Sequence, residues 1–181
     1  MKLKSTLTIA ILAATYVPVT IAASTQNVKE INFEGIISTS SCDFTLSENG
    51  SSIDTVDFGL FETSDIQGAN SVFGTQKTIT ITPDSGCSST FSNGAEIRLT
   101  SPDLYADNSI IKDNRNSSAG VQVKVGTNNW IGTGFQSIQS SDTFFDETTG
   151  SVSITAQPYA TAASLQPGQF GGKLIFQIAY K

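Results

Sequence analysis

Hydrophobic and polar residues alternate with a period of two in several short stretches of the chain after residue 30. In residues 78–82 two isoleucines alternate with three threonines, and in residues 121–125 three valines share one parity. A period of two places one set of side chains on each face of a β-strand, whereas an α-helix requires a period near 3.6. Because no stretch keeps a helical period over several turns, the sequence predicts an all-β fold.

Short runs of β-branched and aromatic residues, separated by Gly, Asn, Asp, Ser and Pro, locate the predicted strands. These strands cover residues 31–39, 53–58, 77–82, 96–100, 120–125, 135–139, 151–158 and 170–180. The stretch 63–68 predicts one short helical turn. Strands with one apolar and one wet face suit two packed sheets, so we expect an immunoglobulin-like β-sandwich, with a small barrel or jelly roll as the alternative.

The composition narrows the class of function. A chain of 181 residues suits one domain, and its 11 Phe, 4 Tyr and 1 Trp indicate a packed core. The net charge is −6 and the ten Lys and Arg are scattered, which argues against nucleic-acid binding because that requires a basic surface. The chain has no His, so the common nucleophilic triads and most zinc catalysis are excluded. We therefore expect a protein that is not an enzyme and needs no metal or cofactor.

The start of the chain has the pattern of a secretory signal peptide. Two lysines precede a short apolar stretch at residues 7–17, and small residues follow it. The apolar stretch is too short for a membrane anchor, and Pro18 interrupts it. We expect residues 1–22 to direct export and to be cleaved after Ala22 or, alternatively, after Ala23.

The two cysteines, Cys42 and Cys87, both lie in the exported part of the chain. In an oxidising compartment a pair of thiols normally forms a disulfide, and two buried free thiols are the alternative. A bond between residues about 45 positions apart is worth roughly 4 kcal/mol in the chain-entropy model.

The last strand has an apolar face over its whole length. Its alternating residues are Phe170, Gly172, Leu174, Phe176, Ile178 and Tyr180, and the chain ends one residue later. An ordinary closing strand of a sandwich has this pattern as well. At the other end of the exported chain, residues 23–30 are polar and lack a turn before the alternating stretch 31–35. Such a segment is either a frayed terminus or a strand that pairs with an open sheet edge of another molecule.

An ordered series of short motifs is similar to the type 1-like pilin subunits of chaperone–usher fimbriae. The motifs are Gly35-Ile36 with Cys42 seven residues after the Gly, Val-Asp-Phe-Gly-Leu at 56–60, Cys87, Pro-Tyr-Ala-Thr at 158–161, Pro-Gly-Gln-Phe at 167–170 and the penultimate Tyr180. The resemblance covers essentially the whole exported chain. It implies an immunoglobulin-like sandwich that lacks its final strand and carries an N-terminal donor-strand extension. It also implies three parts: a signal peptide at 1–22, the extension at 23–34 and the pilin domain at 35–181.

The same resemblance implies the partners and the site residues. The partners are a periplasmic chaperone, an outer-membrane usher and neighbouring pilin subunits in a fimbrium on the bacterial surface. The acceptor strand that meets the chaperone or a donor strand carries Phe170, Leu174, Phe176, Ile178 and Tyr180, and Lys181 supplies the terminal carboxylate.

The donor residues implied by the resemblance are Asn27, Lys29, Ile31 and Phe33. Pilins often carry a small residue in the middle of the donor strand, and Lys29 departs from that pattern. The function that the resemblance implies is that of a structural subunit of a chaperone–usher fimbria, which polymerises by donor-strand exchange and supports bacterial adhesion. The alternatives are a minor tip or adaptor pilin and a secreted carbohydrate-binding sandwich. Trp130 is the residue to examine for the latter, because it either stacks on a sugar or packs in the core.

Overall fold

Two β-sheets and one short helical turn build the part of the chain that the computed structural model describes, namely residues 30–35, 43–65, 68–87, 91–105 and 107–181. The predictions on the signal peptide, Asn27, Lys29 and Cys42 fall outside these residues. Within them, no helix is long and apolar enough to cross a membrane.

The elements follow one another along the chain with short connections. They are β1 (Glu30–Gly35), β2 (Phe44–Glu48), β3 (Ser51–Ser52), a 3-10 turn (Thr63–Asp65), β4 (Ser71–Val72), β5 (Lys77–Pro83), β6 (Ala95–Thr100), β7 (Leu104–Tyr105), β8 (Ile110–Ile111), β9 (Ala119–Val125), β10 (Phe135–Ile138), β11 (Phe145–Asp146), β12 (Ser151–Ala160) and β13 (Gly171–Tyr180). The all-β prediction is confirmed.

The strands form a smaller and a larger sheet. The smaller sheet has the order β1-β13-β6-β10, and the larger sheet has the order β3-β2-β5-β12-β9-β8-β7, with β4 and β11 also paired to β12. Pairing between β1 and β13 is parallel, and the other pairs between these strands are antiparallel. The sheets stay open rather than closing into a barrel, so the sandwich prediction is confirmed over its barrel alternative.

One apolar core draws its side chains from both sheets. The alternation read from the sequence decides which side chains enter it: Ile79 and Ile81 of β5 and the three valines of β9 are fully buried. Leu174 and Phe176 of β13 contribute to the same cluster from the smaller sheet. Burial on one face of each strand is the arrangement that a two-layer sandwich requires.

The structure corrects the strand predicted at residues 53–58. Val56 and Phe58 are buried there, but the backbone forms an irregular connection rather than a strand. Asp57 Oδ1 accepts the N–H of Gly59 at 2.8 Å, and Gly59 has a φ of 79°. A side-chain turn of this kind competes with strand pairing, so these apolar residues anchor a loop to the core.

The strand of this region is β2, which the sequence analysis missed. It is joined to β3 by a two-residue hairpin turn, for which Asn49 and Gly50 have the required positive φ values of 51° and 80°. The 3-10 turn at Thr63–Asp65 likewise confirms the predicted helical turn.

Candidate functional site

Strand β13 has the apolar face that the sequence predicts. Leu174, Phe176 and Ile178 are 0%, 2% and 7% exposed, whereas Ile175 and Gln177 on the opposite face are half-buried. The ring of Phe176 meets that of Phe44 edge-on, with centroids 5.5 Å apart. The face of β13 therefore packs into the sandwich.

The strand begins one residue later than predicted, at Gly171. Phe170 is 3% exposed and lies in the approach to the strand, where its ring centroid is 5.9 Å from that of Phe73. At Gly172 a Cβ would lie 3.2 Å from Ile111, so a glycine lets the first part of the strand approach β8 closely. Phe170 thus belongs to the core beside β13 rather than to the strand itself.

The predicted donor segment lies against β13 of the same chain. The Cα register pairs Ile31 with Gly172, Phe33 with Leu174 and Gly35 with Phe176, in parallel orientation. Strand β1 is the edge of the smaller sheet on this side, so without it β13 would be the edge strand. The structure brings Ile31 and Phe33 to the predicted acceptor strand, within one molecule.

The two neighbours of β13 cover different parts of it. Strand β1 pairs with Gly171–Phe176, whereas β6 pairs with residues 175–180. In the part of β13 that does not pair with β6, polar groups of the loop after β6 form hydrogen bonds to the strand. Ser101 Oγ donates to the Lys173 carbonyl at 2.6 Å, and Asp103 Oδ2 accepts the Lys173 N–H at 2.8 Å.

The end of β13 is fixed to the turn before β12. Tyr180 is half-buried; its hydroxyl donates to the Gly150 carbonyl at 2.8 Å, and its ring lies edge-on to Phe91 with centroids 4.7 Å apart. Burial raises the pKa of the Tyr180 phenol above its ordinary value. Because that hydroxyl already has an acceptor within the chain, Tyr180 stabilises the fold. The chaperone-docking role that the resemblance implies stays a prediction.

Lys181 is held on the opposite side of the sheet end. Its N–H donates to the Gly94 carbonyl at 3.2 Å, and its Nζ lies 2.6 Å from Ser137 Oγ and 3.5 Å from Glu96 Oε1. These contacts fix the direction in which the chain leaves β13. Sequence reasoning missed Phe91, Gly94 and Gly150, because each meets the end of β13 from a distant part of the chain.

Cys87 is half-buried at a turn beside the start of β2. Its Sγ lies 3.8 Å from the carbonyl oxygen of Asp43, and the Asp84 N–H donates to the same oxygen at 2.9 Å. Asp43 directly follows Cys42 in the sequence. Cys87 therefore lies beside Asp43, the residue that follows its predicted partner in the sequence, and the disulfide stays a prediction.

Trp130 is half-buried and packs against the core. Its ring meets that of Phe144 edge-on, with centroids 5.9 Å apart. A ring used in this way has less face free for a sugar, so the structure favours the core interpretation of Trp130 over the carbohydrate-stacking one.

The sequence and the fold were compared with protein families, curated proteins and solved structures. The model of the family described as fimbrial protein matches residues 31–181. Among solved structures, the crystal structure of the P pilus rod subunit PapA is similar in fold, with a TM-score of 0.59, 14% sequence identity, and coverage of 78% of this chain and 92% of that one. No curated protein matches the sequence. Because the family match spans most of the chain and the fold is that of a pilin sandwich, the chain belongs to the fimbrial protein family.

Proposed function

We propose that this chain is a structural subunit of a chaperone–usher fimbria that polymerises by donor-strand exchange and supports bacterial adhesion. One observation supports the proposal above others: β13 has a strand neighbour on its outer edge only because the N-terminal segment of the same chain lies there. Without that segment, β13 would be a ten-residue edge strand with a buried apolar face, which is a template for another strand.

The parallel pairing of β1 indicates what a single subunit does with its own donor segment. In isolation the segment covers part of the acceptor edge and hides it from other chains. In a polymer, the corresponding segment of a second copy takes that place, and the released β1 becomes the donor for the next subunit. Each subunit then donates one strand and accepts one, so the subunits assemble into a linear fibre.

The register supports a second candidate for the small donor residue expected in pilins. The resemblance points to Lys29, but Gly35 has the same parity as Ile31 and Phe33 and lies opposite Phe176. A glycine there leaves room beside a bulky ring. We assign the small-residue role to Gly35, which moves the useful end of the donor segment one residue into the predicted pilin domain.

Export, disulfide formation and transfer to the usher are the remaining steps of the proposed assembly. The signal peptide at residues 1–22 would direct the chain to the periplasm, where Cys42 and Cys87 would form a disulfide. A periplasmic chaperone would cover the acceptor edge until the outer-membrane usher hands the subunit to its neighbour at the cell surface.

The donor assignment is tested by deleting residues 23–34 from the exported chain. Full-length and truncated proteins are unfolded, refolded at high concentration and sized by light scattering. We expect the full-length chain to form strand-exchanged oligomers and the truncated chain to stay monomeric. The truncated chain should bind a synthetic peptide of residues 23–41 in a 1:1 complex. Oligomers of the truncated chain equal to those of the full-length chain would refute the donor role.

A co-expression experiment tests the chaperone. The chain is produced in the periplasm with and without a fimbrial chaperone, and the soluble yield is compared. If the acceptor edge must be covered to keep the chain soluble, the chaperone should raise the soluble yield of the chain and form a complex with it. Equal yields without any complex would contradict the need for a chaperone.

A further inference from the structure

Two Asn-Gly pairs occur in the chain, and their surroundings differ. Asn49 and Gly50 form the two-residue turn between β2 and β3, whereas Asn93 and Gly94 lie in the turn before β6. Asparagine is a chemically labile residue. A following glycine increases that lability, because it has no Cβ to hinder attack of its backbone nitrogen on the asparagine side chain. The two pairs are therefore the first places to look for spontaneous modification.

The reaction at such a pair needs only water as co-reactant. The Gly50 nitrogen would lose its proton and bond to Cγ of Asn49, while the bond from Cγ to Nδ2 breaks and the side-chain nitrogen leaves as ammonia. The product is a five-membered imide ring. Water opens this ring at Cγ to give aspartate, or at the backbone carbonyl carbon to give isoaspartate, whose main chain runs through Cβ and Cγ. Both products carry a carboxylate in place of a neutral amide.

The turn at Asn49 leaves the reacting groups accessible. Both of its residues are exposed, and a Cβ on Gly50 would meet no atom of a non-neighbouring residue within 4 Å. No described residue accepts a backbone hydrogen bond from the Gly50 N–H. The attacking nitrogen is therefore neither covered by the fold nor bound by a described carbonyl group.

The strand that follows this turn is only two residues long. Strand β3 is the edge of the larger sheet, and both of its residues are exposed. It pairs with Ser47 and Glu48 of β2. Opening of this short pair leaves in place the hydrogen bond from the Ile53 N–H to the Leu46 carbonyl, at 2.9 Å. Local opening of exposed edges costs far less free energy than global unfolding, so the Asn49 turn can reach the reactive geometry in the folded protein.

The pair at Asn93 is held in place from several sides. Gly94 is buried; its N–H donates to the Phe91 carbonyl at 2.9 Å, and its carbonyl accepts the Lys181 N–H at 3.2 Å. A Cβ on Gly94 would clash with the Ile138 carbonyl oxygen, so the backbone has little room to turn. The Gly94 nitrogen cannot reach the Asn93 side chain unless these contacts break, which makes this pair an internal control.

We propose that Asn49 is a site of spontaneous deamidation in the folded protein, and that its isoaspartate product disrupts the β2–β3 edge of the larger sheet. Isoaspartate adds a carbon atom to the main chain of a turn whose length fixes the register of its two strands, so β3 can no longer pair with β2 as before. Aspartate leaves the main chain unchanged, and Asp-Gly suits the same turn. This inference does not depend on the proposed function.

Deamidation is measured on the full exported chain, kept folded for several days at mildly alkaline pH, which favours loss of the proton from the attacking nitrogen. Mass spectrometry of proteolytic peptides then gives the modified fraction at each asparagine. We expect Asn49 to react at least about tenfold faster than Asn93, because only the former reacts without breaking buried contacts. The control is the same chain, reduced and unfolded in urea, where the two pairs should react at similar rates.

The effect on the sheet edge is tested with two forms of equal charge. The isoaspartate form is separated from the aged sample by chromatography and identified by enzymatic methylation of its isoaspartyl carboxylate. The variant Asn49→Asp carries the same added charge on an ordinary main chain. We expect the variant to unfold at the same urea concentration as the native chain, and the isoaspartate form to unfold at a lower one.

Each outcome decides one part of the proposal. Equal rates at Asn49 and Asn93 in the folded chain, or a reaction at Asn49 that occurs only after unfolding, would overturn the assignment of the site. An isoaspartate form as stable as Asn49→Asp would overturn the effect on the edge. Faster reaction at Asn49 in the folded chain, together with a lower unfolding midpoint of the isoaspartate form, supports the inference.

Discussion

Replacing Leu174 with Ala tests whether the buried face of β13 holds the acceptor strand in place. Leu174 is fully buried in the core, so truncation removes three carbon atoms and leaves a cavity in packed surroundings. Changes of this type cost about 2–5 kcal/mol, and for a site between two sheets we expect a loss of about 3 kcal/mol. That is a large part of the roughly 5–15 kcal/mol by which a domain is stable.

The assay is urea and thermal unfolding followed by circular dichroism. A loss of about 3 kcal/mol corresponds to a fall in Tm of roughly 6–12 °C for a domain of this size. The matched control is Ile175→Ala, one residue along the strand on the half-buried face, for which we expect a loss of only about 1 kcal/mol. Equal losses in the two variants would refute the claim that alternation along β13 determines what holds the strand.

Two further predictions concern the turns around this strand. Gly94 has a φ of +79°, and a Cβ there would lie 2.1 Å from the Ile138 carbonyl oxygen. Gly94→Ala should therefore destabilise the protein by much more than its control Gly134→Ala, for which we expect roughly 1–2 kcal/mol because Gly134 has a φ of +87° and open space around it. Similar unfolding midpoints for the two variants would contradict this prediction. The N–H of Thr148 and the Thr149 hydroxyl hold the pKa of Asp146 below its ordinary 3.8, so the carboxylate stabilises the fold above about pH 4 and this contribution is lost as pH falls through the lower folded-state pKa. The stability difference between the native chain and Asp146→Ala, measured by urea unfolding, should therefore be present at pH 6 and vanish toward pH 2, whereas a difference that persists at pH 2 would assign it to another cause.

The sequence was sufficient where a short pattern determines the structure. Alternation alone located the buried faces of β5, β9 and β13, because burial on one face of a strand follows from a period of two. The same pattern is present in β2, where Phe44 and Leu46 alternate with Thr45 and Ser47. At 53–58 the apolar residues are irregularly spaced and interrupted by Asp54 and Asp57, which favours the loop that forms.

Contacts between residues that lie far apart in the sequence could not be predicted from it. Tyr180 and Gly150 are 30 positions apart, and nothing near either one indicates that a hydroxyl and a carbonyl will meet. The partner of β1 is a similar case, since an alternating N-terminal segment can pair with its own chain or with another. The register of β1 on β13 comes from the three-dimensional arrangement.

The two edges of the smaller sheet differ in a way that bears on how a fibre of this chain would grow. The outer strand on one side, β10, has only four residues; Arg98 lies 6.0 Å from the ring of the exposed Phe135, and the Lys181 ammonium reaches Ser137. Short edge strands with cationic side chains nearby resist pairing with another strand. On the opposite side β1 forms the edge, and it pairs with Gly171–Phe176 of the ten-residue β13, which would be the edge without it. If subunits exchange strands as proposed, one receptive edge and one donor segment in each copy would give an unbranched chain of subunits with a single direction.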